Sequence, residues 1–359
     1  MIETHVVNAI LLPEIKDGAV FKVLTFINGL VAPSFLFCAG FALAITLHRK
    51  WTEYIQFHKS LLRYIVRLLF ILVVGYSLHL PFFSLRRLIS ITDDRLWVPF
   101  YQADILQTIS ITLLSLLIFV LITRKKTIFA SAAILVSLLV IFLSPVIREM
   151  DHSSLPAWFR PYLTPNFKSQ FPLFPWSAFL ICGTIVGYFF MKVQGSLHES
   201  KFMKRLTLAG VLGILIALGF EILPVSIYPN HDFWRASPEF FFVRLGLVVL
   251  FLGMLWVYEQ RRKVASGSVF TLFGQESLLV YTVHLLVVYG YTYEWSFVRY
   301  FGPTLNYPQS FGLFLALTGA MYLFAFAWHW LKGWNLKIAK NVQFVTLAII
   351  VLTFLLKTT

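Results

Sequence analysis

Charged residues are scarce in this sequence of 359 residues, making up 13% of it, whereas 58% of the residues are hydrophobic. No polar stretch is long enough to form a separate soluble domain, and apolar runs recur from one end of the chain to the other. Soluble globular proteins do not have this composition, and the mean hydropathy of +0.78 agrees. The composition therefore excludes the soluble classes and indicates a polytopic membrane protein.

Cysteine is almost missing as well. Cys38 and Cys182 both fall inside apolar runs, which argues against a disulfide, and no spacing of ligand-type residues supports a metal site. We therefore predict no metal. The run Met1–Leu12 lacks a basic region before its apolar residues and is too short to cross a bilayer, so it is not a signal peptide.

Acidic residues are outnumbered by basic ones, 16 against 30, which gives a net charge of +14. In a soluble protein such a charge would suggest nucleic acid, but here the distribution of the charge accounts for it, and we predict no nucleic-acid partner. Seventeen lysines and arginines fall in one set of loops and eight in the loops that alternate with them. The positive-inside rule makes the richer side cytoplasmic and puts residues 1–20 on the outer side.

Windows of about 20 apolar residues predict an all-α polytopic membrane helix bundle. Closed barrels are excluded because the alternation of apolar and polar residues that they require is absent, and no internal repeat is visible. The whole chain, 1–359, reads as one integral-membrane domain with about ten full transmembrane helices and a partial helix at the N-terminus. The predicted spans are 21–47, 61–82, 102–123, 127–146, 173–192, 203–224, 239–258, 270–291, 311–333 and 339–356.

Ionisable and strongly polar residues at membrane depth are costly, so each is a candidate for a site. With the predicted orientation they form an outer group and a cytoplasmic group. The outer group contains His5, Asn28, His79, Asp104, Gln107, Arg235, Glu239 and His284, and the cytoplasmic group contains Arg49, Arg63, Arg67, Gln275 and Glu276.

Most of these candidates also have a structural explanation. Arg63 and Arg67 lie four residues apart on one helix face, where they could equally be snorkelling anchors. Asp104 and Glu239 stand at predicted helix N-termini, where the helix dipole favours a carboxylate. His284, a lone histidine in an apolar helix, could be a hydrogen-bonded packing residue.

Four stretches carry more information than generic membrane sequence. They are FINGLVAPSFLFCAGFALAI, where Asn28, Gly29 and Pro33 interrupt a helix; YQADILQTISI, which opens a helix; FPLFPWSAFLICGTIVG; and FGQESLLVYTVHLL. Asp104 and Gln107 are three residues apart in the second stretch and so share a helix face. In the third, Gly183 and Gly187 form a small-xxx-small pattern that predicts a close helix contact.

In this order, these stretches resemble the bacterial relatives of heparan-α-glucosaminide N-acetyltransferase, within the wider transmembrane acyltransferase superfamily. The resemblance covers almost the whole chain. It implies eleven helices, the first of which begins with a segment like L-D-x-L-R-G and ends with a histidine much like the one in MIETHVVNA. The D-x-x-R-G part has no counterpart here, so we expect the chain to start at an internal methionine and to lack the front of that helix. A shortened natural variant is the alternative explanation.

The resemblance implies transfer of an acetyl group from cytosolic acetyl-CoA to an amine or hydroxyl of a sugar or glycan on the far side of a bacterial inner membrane. Imidazole has the near-neutral pKa that a general base needs, and a neighbouring carboxylate improves it. His5 is thus the predicted catalytic histidine, with Asp104 as its orienting carboxylate. The family's H-x-x-W-N-G motif is represented here only by Asn28 and Gly29.

The remaining roles follow the same resemblance. Substrate contacts are predicted at Asn28, Gln107, Arg235, Glu239 and His284. Coenzyme A carries phosphates and should meet arginine at the cytoplasmic side, which implies contacts with Arg49, Arg63 and Arg67.

Two other functions stay open at this stage. A transporter or flippase of a polar or lipid-linked solute would have the same proline-interrupted helices and intramembrane polar residues. An inert remnant of a longer gene would account for the missing front of helix one. Besides the lipid bilayer and the sugar acceptor, a homo-oligomer is a further partner that the sequence allows.

Overall fold

A computed structural model of the chain describes residues 1–165, 168–222, 228, 236–261, 268–290 and 295–357. Within these ranges the regular structure is helical, and an isolated bridge pairs Leu11 with Leu305. The prediction of an all-α polytopic helix bundle is therefore confirmed.

Sixteen α-helices follow one another among the described residues, with short 3-10 turns between some of them. They are α1 (Ile2–Ile10), α2 (Ala19–Asn28), α3 (Val31–Ile55), α4 (Lys59–Ser77), α5 (Leu85–Ile89), α6 (Val98–Tyr101), α7 (Ile105–Thr123), α8 (Lys126–Glu149), α9 (Leu173–Val193), α10 (Glu199–Glu221), α11 (Pro238–Arg261), α12 (Val269–Gln275), α13 (Ser277–Tyr289), α14 (Phe297–Phe301), α15 (Tyr307–Trp334) and α16 (Leu336–Leu356).

The number of candidate spans agrees with the prediction. Among the described residues, nine segments are long and apolar enough to cross a membrane, and the bent pair α12 and α13 would be a tenth. One of the nine, Ala19–Ile55, comprises both α2 and α3. The predicted interruption occurs there, since α2 ends at Asn28 and α3 begins at Val31. Pro33 lies in the first turn of α3, where its missing N–H costs nothing.

The predicted span 270–291 differs from the structure, because it is not one straight helix. α12 and α13 meet at an angle of 84°. Glu276 lies between them with a non-helical backbone, and its side chain is buried, only 5% exposed. Its carboxylate pairs with Lys332 and lies 3.0 Å from Nδ1 of His329, both on α15. A buried carboxylate needs such partners, and both of them lie on α15 beside the break between α12 and α13.

The ion pair at this break leads to a stability prediction. Replacing Lys332 with methionine removes a cation from a carboxylate that stays buried, and we expect a loss of about 1–3 kcal/mol, below the range for a fully buried pair because the Lys332 side chain is 35% exposed. Thermal unfolding of the purified protein measures it. Lys337→Met, which removes an exposed lysine from α16, is the control. Equal shifts in the two variants would contradict the assignment.

The described residues fall into two compact units. Unit 1 comprises Met1–Asn28, Leu80–Trp97 and Lys263–Thr359, and unit 2 comprises Gly29–His79 and Val98–Arg262. The core of unit 1 forms where one face of α1 packs on α13 and α15. Its buried members are Ile2, Val6, Ile10, Val280, Val288, Leu317, Met321 and Ala325. The prediction of a single domain over 1–359 stays a prediction.

Unit 2 contains α3, α4 and α6 to α11, and its tightest helix contact joins α3 and α9. A Cβ atom added to Gly183 would lie 2.0 Å from the carbonyl oxygen of Phe37, and one added to Gly40 would lie 1.8 Å from that of Leu180. Gly187 faces the Ala44 side chain in the same interface. The small-xxx-small contact predicted at Gly183 and Gly187 is therefore present, because only glycine lets the two backbones approach this closely.

Many large apolar side chains on the spans are exposed, as lipid-facing residues are. Only 6% of the apolar window of α16 is buried, and 17% of that of α10. In water such surfaces would be unfavourable, whereas in a bilayer they are solvated by acyl chains. A polar side chain on one of these spans therefore needs a hydrogen-bond or charge partner within the protein.

Candidate active site

A histidine and an aspartate meet in unit 2 where α4 ends and α7 begins. His79 follows the last turn of α4, and Asp104 is the N-cap of α7, where one of its oxygens accepts the backbone N–H of Ile105 at 2.7 Å. Its other oxygen, Oδ2, lies 3.1 Å from Nε2 of His79. The capping role predicted for Asp104 is thus present, and it leaves the second oxygen for the imidazole.

The partners of His79 define the state of its ring. Nε2–H donates to the Asp104 carboxylate, so Nδ1 is an acceptor, and the amide nitrogen of Gln102 lies 2.5 Å from it. The His79 side chain is 8% exposed and that of Asp104 is 16% exposed. A buried imidazole held by a carboxylate on one nitrogen, with an acceptor lone pair on the other, has the arrangement of a general base.

Gln107 lies one turn further into α7 and faces α4 as well. Its amide oxygen would be 2.9 Å from a Cβ atom at Gly75, which is four residues before His79. The Gln107 side chain is fully buried, and neither amide atom has a hydrogen-bond partner within the described part of the chain. Buried polar groups are almost always paired, so this amide calls for water or a polar ligand group. Asp104 and Gln107 both face α4, so they lie on one face of α7 as predicted.

The segment before α9 is tied to the start of α7. The backbone N–H of Ala103 donates to Ser169 Oγ at 2.9 Å, and Thr108 Oγ1 donates to the carbonyl of Phe171 at 2.5 Å. The hydroxyls of Tyr76 and Tyr162 lie 2.6 Å apart. Burial, and then the bond to Tyr76, raise the pKa of Tyr162, so this phenol keeps its proton at neutral pH.

A second polar cluster lies in unit 1 and contains the predicted catalytic histidine. Nδ1 of His5 lies 3.2 Å from the hydroxyl of Tyr289, and the rings of His5 and His284 are 5.2 Å apart. His284 is fully buried, and its Nδ1–H donates to the carbonyl of Val280 at 2.7 Å. Its Nε2 has no partner within the described residues. The sequence analysis predicted His5 and His284 as two separate candidates. In the structure, the packing of α1 on α13 places their rings close to each other.

The other predicted contacts lie in different places. Asn28 is the last residue of α2. Glu239 accepts a hydrogen bond from the Ser237 hydroxyl at 2.7 Å at the start of α11, and Ser237 Oγ, not Glu239, accepts the backbone N–H of Phe240 there. Arg235 lies outside the described residues. Arg49, Arg63 and Arg67 have exposed side chains, and on α4 the two arginines lie among exposed apolar residues such as Val66. Their roles as substrate or coenzyme A contacts stay predictions.

Sequence reasoning missed three residues of this region. His79 was visible as a polar residue near a helix end, and Gln102 stands in the quoted stretch YQADILQ, yet neither was given a role. Arg244 was overlooked, although a lone arginine within the apolar α11 was the signal. Its guanidinium lies 4.1 Å from the ring of Phe240 and 5.4 Å from that of Trp176.

Within the described ranges no group of three or more histidine, cysteine, aspartate or glutamate residues could hold a metal ion. The expectation that the protein binds no metal stays a prediction.

Comparison with known proteins gives one family. The family described as "Heparan-alpha-glucosaminide N-acetyltransferase, catalytic" matches residues 1–231. No curated protein and no solved structure matches the chain. The matched residues include His5, His79, Asp104 and Gln107, whereas His284 lies beyond them.

Proposed function

Because this chain belongs to the heparan-alpha-glucosaminide N-acetyltransferase catalytic family, we propose that it is a membrane acetyltransferase that uses acetyl-CoA to acetylate a sugar. The observation that carries the proposal is the contact between His79 and Asp104, at 3.1 Å, inside the residues that match the family. It supplies the oriented imidazole that acyl transfer needs.

In the proposed reaction His79 is the general base. Its Nδ1 accepts the proton of the acceptor's amine or hydroxyl as that atom attacks the acetyl carbonyl carbon. The new C–N or C–O bond forms, the C–S bond of the thioester breaks, and the coenzyme A thiolate leaves and takes up a proton. Asp104 keeps the Nε2–H tautomer and stabilises the imidazolium that forms.

Gln102 and Gln107 have complementary roles in this scheme. The Gln102 amide nitrogen occupies the position at Nδ1 from which an acceptor's N–H or O–H would donate, so it must give way when the acceptor binds. Gln107 offers an unpaired buried amide one helical turn away, which suits an oxygen of the acceptor or of the developing oxyanion.

The loop charges support one direction for the proposed transfer. The loops at the opposite ends of α4 and α7 from His79 and Asp104 carry the excess of lysine and arginine, which is the signature of a cytoplasmic face. We propose that acetyl-CoA comes from that side, with Arg49, Arg63 and Arg67 as candidate phosphate contacts. The acceptor is then acetylated at the outer face of a bacterial inner membrane.

Sealed proteoliposomes containing the purified chain test this function. With acetyl-CoA on one side and an amino sugar such as glucosamine on the other, we expect release of free thiol and acetylation of the sugar in equal amounts. Liposomes without protein are the control. Thiol release without sugar acetylation would indicate simple thioesterase activity, and the absence of both with every amino sugar and glycan tried would contradict the proposal.

A carrier is the second candidate, and the bend between α12 and α13 favours it. Discontinuous helices with a buried ionisable residue at the break, here Glu276, are a feature of transporters. The same proteoliposomes distinguish the two functions. A carrier would move labelled sugar across the membrane without acetyl-CoA, whereas the proposed enzyme releases thiol only when donor and acceptor are both present.

A further inference from the structure

A cavity lies in unit 2 where α3 and α9 end and α8 begins, at the opposite helix ends from His79 and Asp104. Its volume is about 130 Å³. Four of the residues around it are apolar, and no carboxylate is among the described residues that line it. The polar and aromatic lining residues are His48, Trp51, Lys126, Thr184, Tyr188 and Lys192.

Two lysines give this cavity its charge. Nζ of Lys126 lies 6.0 Å from the ring centre of Trp51, and Nζ of Lys192 lies 4.3 Å from that of Tyr188. Neither lysine forms an ion pair within the part of the chain that the structure describes. Both lysine side chains are exposed, and their ammonium groups lie near aromatic rings with no carboxylate of the described residues to neutralise them, which leaves the cavity electropositive.

The start of α8 adds to this potential. Lys126 is its first residue, and the helix of 24 residues begins without a side-chain cap. The backbone N–H groups of a first turn carry the positive end of the helix dipole. Together with the Trp51 indole and the Tyr188 phenol, the lining can donate hydrogen bonds to an oxyanion.

The volume of the cavity and the positions of its lysines indicate which class of ligand it can bind. The cavity is several times the ~30 Å³ that a water molecule occupies in the liquid, but smaller than the roughly 300–1,000 Å³ of pockets that enclose drug-sized ligands. It is large enough for one phosphate group. Its two lysines are the first residue of α8 and the last residue but one of α9, and basic pockets between transmembrane helices bind anionic lipids.

We propose that this cavity binds the headgroup phosphate of an anionic phospholipid, with Lys126 and Lys192 as the charge partners. This proposal does not depend on the proposed acetyl transfer. Because Trp51 is 7% exposed and packs edge-on against Phe129 of α8, a bound headgroup would rest on a rigid wall of the α3, α8 and α9 interface.

Lipid titration of the full-length chain, followed by native mass spectrometry, tests the site. Phosphatidylglycerol is the probe and phosphatidylcholine the neutral reference. We expect Lys126→Gln with Lys192→Gln to weaken phosphatidylglycerol binding about tenfold, since each lysine near a lipid surface contributes to the attraction. The matched control is Lys201→Gln with Lys204→Gln, which removes two exposed lysines from α10 and should leave binding unchanged.

Further variants and competing ligands distinguish a lipid phosphate from a soluble phosphate compound. Lys126→Arg with Lys192→Arg keeps the charge and should bind like the wild type, which together with an unchanged unfolding temperature excludes misfolding as the cause. Equal weakening in both glutamine variants, or equal binding of the two lipids, would overturn the proposal. So would displacement of the lipid by millimolar inorganic phosphate or coenzyme A, because the site would then belong to a soluble ligand.

Discussion

Replacement of His79 by alanine is expected to lower the rate of acetyl transfer about a thousandfold, within the range for loss of a general base. The imidazole is buried, bonds to Asp104 and presents its second nitrogen next to Gln102, and alanine has no group that can accept the proton. The measurement is kcat/KM for thiol release with acetyl-CoA and an amino sugar, on protein that elutes as a single species.

Two other histidine variants make this result interpretable. His198→Ala, at an exposed position before α10, is the matched control and should keep wild-type activity. His5→Ala tests the role that the sequence predicts for His5 in unit 1. If His5→Ala abolished transfer and His79→Ala left it intact, the base would be His5, and the site proposed at His79 would be wrong.

Replacement of Gly183 by leucine is expected to prevent unit 2 from assembling. The first added atom alone would lie 2.0 Å from a backbone oxygen of α3, and neither helix can yield without separating the interface. Overpacking that only shifts side chains costs about 1–3 kcal/mol, and a clash between two backbones costs more. We therefore expect a loss of more than about 3 kcal/mol, seen as aggregated or degraded protein in detergent.

Gly219→Leu provides the control for this substitution. Gly219 also lies within a membrane span, α10, but an added Cβ atom there has no neighbour within 4 Å among the described residues. The variant should fold and unfold like the wild type. Folding of Gly183→Leu to the same extent as Gly219→Leu would mean that α3 and α9 do not approach as described.

The membrane architecture could be predicted because lipid imposes a simple rule on the sequence. A span must be a long apolar helix, so apolar windows found the spans from α3 to α16, and the glycine spacing in α9 identified its closest neighbour contact. The bend at Glu276 could not be predicted in the same way. The Glu276 carboxylate buried at the bend contacts Lys332 and His329 of α15, which lie more than 50 residues away in sequence, and the local sequence gives no sign of these partners.

The site was predicted only in part, for a similar reason. Asp104 and Gln107 were recognised because three-residue spacing on a helix is a local property. The partner of Asp104 was expected to be His5, whereas the structure places the carboxylate against His79, at the end of the preceding long helix. Which of several histidines meets a carboxylate depends on how the helices pack, and no spacing within one segment encodes it.

A double-mutant cycle on His79 and Asp104 tests the proposed dyad most directly. It compares kcat/KM for acetyl transfer in His79→Ala, Asp104→Ala and the double variant. If the two side chains act as one unit, the double variant will be no slower than His79→Ala alone, because Asp104 acts through the imidazole. Rate losses that multiply, or an unimpaired His79→Ala, would contradict the assignment of His79 and Asp104 as the catalytic pair.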